Sequence, residues 1–166
     1  SLSGDSEFRE GSLTECMPDV AERELGNVTW IIEDSRQNLD GPRISNERIL
    51  HGTDALRIRR TAEANGWAVI DLMHGRFRED VFQRPGGAAL RRVFESGFSD
   101  YQFTMLLLKR DAAESRRQLI ARDATTAALL ESLSDEDVLR LVQDLGGHDL
   151  QALTEAFEKS KEDARV

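Results

Sequence analysis

The sequence predicts an α/β chain, mostly helical by content, with a partial parallel sheet in its first part and a long helical block after it. Two observations carry this. The short runs Val28–Ile32 and Trp67–Leu72 are rich in β-branched and aromatic residues and lack polar alternation, the pattern of parallel strands covered on both faces. From Arg76 onward, apolar residues recur at helical spacing, broken by helix-ending residues. The 166 residues suffice for one domain with a real core, and 39% hydrophobic with 32% charged residues excludes a disordered or low-complexity chain. A formal charge of -9, from 22 basic and 31 acidic residues, opposes general binding to a phosphate backbone, so no nucleic acid is expected as partner. With no apolar run of about 18 residues and no leader-like start, no membrane association is expected, and the lone Cys16 cannot close an internal disulfide. The expected location is cytoplasmic. Nineteen of the 22 basic residues are Arg, which reads as compositional bias.

The chain opens on the loop-like Ser1–Glu7, and the strand that should precede Gly4 and one after Val166 are expected to lie outside these residues. A helix follows from about Ser12 to Leu25, with Ser12 and Glu15 at capping-box spacing and Gly26 as its stop. Pro18 falls inside it, so the helix is expected to restart near Met17 or to bend. Val28–Ile32 is the first strand, and the polar Glu33–Asn38 stretch lies at its carboxyl end, where open α/β sheets bind ligands. Leu39–Pro42 reads as a turn, and a helix from about Thr53 to Asn65 ends at Gly66. Trp67–Leu72 then completes a parallel crossover unit. The helical block divides into Phe77–Gln83, Ala88–Glu95, Asp100–Leu108, Ala112–Arg122 and Thr125–Leu133, with Arg84–Gly87 as a break. Ser134 caps the next helix, with acids in its first turn and Leu133 placed to staple onto Val138; Gly146-Gly147 ends it. Asp149 caps a last helix from Leu150 to about Ser160, with Leu150, Leu153, Ala156 and Phe157 on one face.

Two stretches hold oxygen ligands for a hard cation. Gly4-Asp5-Ser6-Glu7 puts a carboxylate in a glycine-containing turn, and the Glu33–Asn38 loop offers Ser35, Gln37 and backbone carbonyls. Alone, the first reads as an Asx-type turn and the second as a solvated strand-end loop. Together they mean more. Asp5 and Ser35 are 30 residues apart, with a helix and a strand between them, and a parallel return brings both loops to one sheet edge. A metal-bridged diphosphate could be held there. By contrast, His148 in Gly146-Gly147-His148-Asp149 reads as a hinge, and His51 and His74 carry no catalytic role. Cys16 reads as a small buried hydrophobe, and Met105–Leu108 as core or interface.

The order Gly4-Asp5-Ser6-Glu7, Ala21–Val28, Ile31-Ile32, Gln37–Pro42, Gly66–Ile70 and Gly146–Leu150 resembles the cofactor segment of the homodimeric pyruvate dehydrogenase decarboxylating component, a transketolase-like family that uses thiamine diphosphate. The separation of Ile70 from Gly146 by about 75 residues favours this branch over transketolase itself. The resemblance implies one partial thiamine-diphosphate-binding domain over 1–166: a cofactor-motif α/β part at 1–75, a helical insertion at 76–145 and a C-terminal helix at 146–166. It implies thiamine diphosphate and Mg2+ as cofactors, with Gly4, Asp5, Ser6, Glu7 and Gln37 binding the cofactor and Asp5, Ser35 and Gln37 binding the metal. Ser6 stands where the motif has a glycine and Ser35 where it has an asparagine, two departures that weaken binding. The implied oxidoreductase decarboxylates pyruvate and passes the acetyl unit to a lipoyl acyltransferase component. No catalytic residue falls in this chain, so the chain alone is expected to be inactive, a truncated relative whose partner is the rest of the enzyme or a second copy. The alternatives are a non-catalytic remnant acting as an interaction or assembly module, and a transketolase-type fragment.

Overall fold

In a computed structural model of the chain, which describes residues 1–35, 37–38, 41–42 and 54–162, a strand precedes the first loop after all. β1 (Leu2–Gly4) runs parallel to β2 (Ile31–Glu33), in the register Leu2↔Ile31, Ser3↔Ile32, Gly4↔Glu33. Backbone bonds extend the ladder at both ends, from Ile31 N–H to Ser1 O (2.8 Å) and from Asp5 N–H to Glu33 O (2.8 Å). This corrects the expectation that no strand stands ahead of the loop: so short a run shows no apolar pattern, but its backbone groups find partners along β2. The strand in Val28–Ile32 is shifted to Ile31–Glu33 and is not covered on both faces, since Leu2 is 73% and Ile31 40% exposed.

Trp67–Leu72 forms no strand. Among the described residues nothing pairs with it, and β-prone side chains make no strand without a backbone partner; the nearest pairing is a single antiparallel bridge between His74 and Leu145. The crossover unit is therefore β1, α1 (Gly11–Glu22) and β2. Where a turn was expected, β3 (Gln37–Asn38) pairs antiparallel with β4 (Gly41–Pro42); Leu39, Asp40, His51 and Thr53 lie outside the described residues.

α1 runs through Pro18 without restarting at Met17. Its N-cap is Glu10, with no side-chain cap, so the expected Ser12–Glu15 capping box does not form: Ser12 already lies inside the first turn. The helix ends earlier than Gly26. Glu24, at φ 53°, takes the left-handed position, Leu25 N–H bonds Val20 O (3.1 Å) and Glu24 N–H bonds Ala21 O (3.0 Å), which makes a Schellman motif on a non-glycine residue. α2 (Asp54–Ala64) ends in the same motif with Gly66 at φ 86°, Trp67 N–H on Ala62 O (3.1 Å) and Gly66 N–H on Glu63 O (3.1 Å). Glu24→Gly is thus expected to stabilise the chain by about 0.5–1 kcal/mol, and Gly66→Ala to destabilise it by at least as much, because its Cβ would also press on Ala21 Cβ at 3.0 Å. Urea melts of both variants check the opposite signs.

The chain divides into two compact units, Ser1–Asp71 with the chain from Leu153 onward, and Leu72–Ala152. The first has a small core of Phe8, Met17 and Ile58, flanked by Trp30, Ile32 and Trp67. Both indoles are satisfied, Trp30 Nε1 donating to Ser3 Oγ (2.7 Å) and Trp67 Nε1 to Met17 O (3.0 Å). Cys16 is exposed on α1, its thiol donating to Leu13 O (3.2 Å), which corrects its reading as a buried hydrophobe.

The second unit is helical: α3 (Arg76–Phe82), α4 (Gly87–Ser96), α5 (Asp100–Lys109), α6 (Ala112–Arg122), α7 (Ala127–Glu131) and α8 (Asp135–Gln143). Their apolar stripes meet in one cluster that includes Val81, Leu90, Phe94, Leu106, Leu119, Leu130, Val138 and Leu141. Ser134 Oγ accepts from Asp137 N–H (3.1 Å), as its sequence position predicts. Leu106 is buried in this core, while Leu108 is 70% exposed. α9 (Leu150–Glu162) begins in this unit, and Leu150 (79%) and Phe157 (43%) are exposed rather than buried on a common face.

Four arginines pack on aromatic rings. Guanidinium groups lie over phenyl rings in Arg140–Phe77, Arg78–Phe94, Arg91–Phe82 and Arg122–Phe98, at 4.1 to 4.9 Å from the ring centres. Among the described residues no helix is long and apolar enough to cross a membrane.

Candidate functional site

The parallel pairing of β1 and β2 decides what meets at their carboxyl ends. Ser3 and Asp5 point inward from alternate positions, and Asp5 is 1% exposed. Its Oδ1 accepts a hydrogen bond from Ser35 Oγ at 3.3 Å, so two residues 30 positions apart in the chain join side by side. Ser35 itself is exposed, opening this pair toward one side. Gly4 N–H, at the last position of β1, donates to Glu7 Oε2 at 3.1 Å. Ser6 has an ordinary right-handed backbone (φ -69°, ψ -39°), which any residue adopts. Glu7 is exposed and opens the 3-10 turn Glu7–Arg9. Beyond β2, Glu33 is exposed and Asp34 half-buried.

A carboxylate beside a hydroxyl is a hard-oxygen pair suited to a cation such as Mg2+. The Ser6 backbone is one that any residue adopts, and Asp5 and Ser35 are the side chains that would hold such a cation. Gln37 sits in β3 opposite Pro42, and its side chain lies outside the described residues. Among the described residues no group of three or more His, Cys, Asp and Glu side chains could hold a metal ion alone, so further ligands would have to come from hydroxyls, carbonyls or the bound molecule.

Gly146-Gly147-His148-Asp149 turns out to be an architectural joint. Gly146 passes so close to the backbone of Leu72 that a Cβ there would stand 2.1 Å from Leu72 O. His148 is exposed at the end of the 3-10 turn Gly146–His148. Asp149 Oδ1 accepts from the N–H groups of Gln151 and Ala152 (both 3.1 Å), the cap that the sequence indicates. Asp149 also takes Arg76 Nε (2.8 Å) and Arg76 N–H (3.0 Å) on Oδ2. The Arg76 side chain above all, then these amides, holds the Asp149 carboxyl well below the usual carboxylate range. Asp144 Oδ2 accepts Arg78 N–H (2.8 Å), so two distant carboxylates cap the start of α3.

Sequence reasoning missed the buried pair His74 and Arg78. The signal available was their i, i+4 spacing beside the apolar Phe77, Val81 and Phe82, which places both on a core-facing stripe. His74 Nδ1 lies 3.0 Å from Arg78 Nη1 and its Nε2 3.6 Å from Glu95 Oε1, with the ring edge-on to Phe82. These contacts give His74 a packing role.

No family model matches the chain. It is similar to part of the pyruvate dehydrogenase E1 component of Corynebacterium glutamicum (28% identity over 160 residues, 96% of this chain and 16% of that protein). The pyruvate dehydrogenase E1 component of Escherichia coli strain K12 is 29% identical over 160 residues (96% and 17%), and that of Mycobacterium tuberculosis 29% over 134 residues (80% and 13%). The chain thus spans about one-sixth of the length of the first two relatives.

Proposed function

We propose that the chain is a segment of a thiamine-diphosphate-dependent 2-oxo acid dehydrogenase of the pyruvate type, supplying the loops that bind the magnesium diphosphate. What carries this reading is the Asp5–Ser35 contact: the two side chains that the resemblance assigns to the metal are hydrogen-bonded across the ends of β1 and β2. Asp5 would hold the cation through its carboxylate, Ser35 through its hydroxyl and Gln37 from β3, with Gly4 and Ser6 giving the diphosphate a backbone to lie against. When bound, the cofactor supplies the chemistry that decarboxylates a 2-oxo acid. The chain's own task is to position it. In this reading, as the family resemblance implies, the chain would work with the rest of the enzyme and a lipoyl acyltransferase component, in the cytoplasm.

Titration with Mg2+ and thiamine diphosphate tests this, read through Trp30, whose indole bonds Ser3 two residues from Asp5. The expected result is saturable, EDTA-sensitive binding, weakened at least tenfold in Asp5→Asn and strengthened in Ser35→Asn, which restores a carboxamide ligand. No turnover of pyruvate is expected from the isolated chain. Binding by neither wild type nor Ser35→Asn would refute the reading.

A second reading, an assembly module without catalysis, is favoured by the exposure of Leu2 and Ile31, which face each other in the β1–β2 register. Parallel sheets are normally covered on both faces, and a second copy would supply the cover. Sedimentation discriminates: this reading requires a dimer that dissociates on Ile31→Ser, and a wild-type monomer would exclude it.

A further inference from the structure

We infer that His74 is an acid-sensitive latch on the helical unit: its buried imidazole holds Arg78 only while neutral, so acid favours release of Arg78 from the end of α8. The observations behind this are independent of the metal-site reading. The His74 side chain is 3% exposed and Arg78 1% exposed. Arg78 Nη1 lies 3.0 Å from His74 Nδ1, while Nε and Nη2 of the same guanidinium donate to Leu141 O and Val142 O. A guanidinium has donors only, so Nδ1 must present its lone pair. A second proton on the ring would turn that acceptor into a donor aimed at a permanent cation, in a site shut off from solvent. Protonation and the latch therefore exclude each other.

One neighbour favours the proton. Glu95 Oε1 lies 3.6 Å from His74 Nε2, but the Glu95 side chain is 41% exposed and the same oxygen faces Arg91 Nη1 at 3.5 Å. Arg91 is bonded in turn to Glu79, and Asp144 accepts from the main-chain N–H of Arg78. Phe82 and Phe94 stand 5.0 and 6.5 Å from the imidazole, centre to centre, and offer it no hydrogen-bond acceptor. Burial and the Arg78 charge both oppose protonation at contact distance, whereas Glu95 acts partly through solvent and is shared with Arg91. The neutral ring wins. An unfolded histidine titrates near about 6.5, so the contribution of His74 to stability is full above that pH and is lost as the pH falls below it.

Urea unfolding of the full chain, followed by far-ultraviolet circular dichroism at about pH 7 and about pH 5.5, tests this, because histidine titrates in that window while ordinary carboxyls stay ionised. The unfolding equilibrium constant of the wild type should rise about eightfold on acidification, the value for one histidine kept neutral by the fold. His74→Asn puts a non-titrating acceptor, Oδ1, in the place of Nδ1 and should lose most of the rise. His148→Asn, at an exposed histidine, should keep it. Glu95→Gln removes the charge that favours the proton and should keep the rise or steepen it. Should His74→Asn not fold, the imidazole nitrogen shifts of His74 in the wild type decide by nuclear magnetic resonance: a neutral ring at about pH 5.5 supports the latch and a charged ring refutes it. A wild-type equilibrium that stays flat or falls on acidification, a rise that survives in His74→Asn, or one that disappears in Glu95→Gln or His148→Asn overturns the inference.

Discussion

Arg78→Met is expected to cost about 3–5 kcal/mol of stability, because two buried carbonyls lose their donor at about 1–3 kcal/mol each and a ring contact goes with them. Arg78 is 1% exposed and lies over the Phe94 ring at 4.3 Å. Its Nε donates to Leu141 O (2.9 Å) and its Nη2 to Val142 O (2.8 Å), two of the last carbonyls of α8, which have no partner within the helix. A positive guanidinium there also meets the negative end of the helix. Because Arg has no acceptor and stays charged, its contact with His74 Nδ1 requires that nitrogen to be the acceptor, leaving the imidazole proton on Nε2 toward Glu95. Methionine fills much of the volume and restores none of these bonds. Arg78→Lys offers one compact donor group in place of a planar fork, and should cost an intermediate amount. Urea denaturation followed by far-ultraviolet circular dichroism measures both; loss of less than about 1 kcal/mol in Arg78→Met would show that α8 does not depend on this residue.

Adjacent glycines should respond very differently to the same substitution. A Cβ on Gly146 would stand 2.1 Å from Leu72 O, 2.6 Å from Leu72 C and 2.8 Å from His74 O. These are backbone atoms, and they are tied in place by the pairing of His74 with Leu145. They cannot move aside as a flexible side chain would, so Gly146→Ala is expected to cost about 3 kcal/mol, near the upper end for overpacking. Gly147 has no heavy atom within 4 Å of its Cβ position, and Gly147→Ala should stay within about 0.5 kcal/mol of wild type. Thermal melts of the two variants side by side check the contrast. Equal effects would mean that the Gly-Gly pair acts through chain flexibility and not through the approach of Leu72.

The candidate site was partly legible. Asp5 and Ser35 stood out because oxygen ligands follow a helix-then-strand spacing that returns the chain to one edge, and the structure does bring them together. The route differs from the expected one, since the partner of β2 is Leu2–Gly4, which no periodicity reveals in so short a run. Glu7 was read as one more cofactor residue; its hold on Gly4 depends on a side-chain direction that spacing does not specify. In the same way, Gly146-Gly147-His148-Asp149 looked like a hinge, while its tight fit against Leu72 involves a residue more than seventy positions away.

What the sequence determined by itself is local. Ser134 and Asp149 cap the helices that follow them, Gly66 ends α2 and Ala112–Arg122 is helical over the expected span, because each depends on groups within a few residues. Only the tertiary structure decided which β-prone segment becomes a strand, which carboxylates cap α3 and which cation reaches the end of α8. Trp67–Leu72 has the side chains of a strand and, among the described residues, forms no strand; Leu2–Gly4 has few of them and does pair. Helix hydrogen bonds close within one turn and are written in adjacent residues, whereas a strand, a cap supplied from afar or a buried Arg is completed by atoms that only folding brings near.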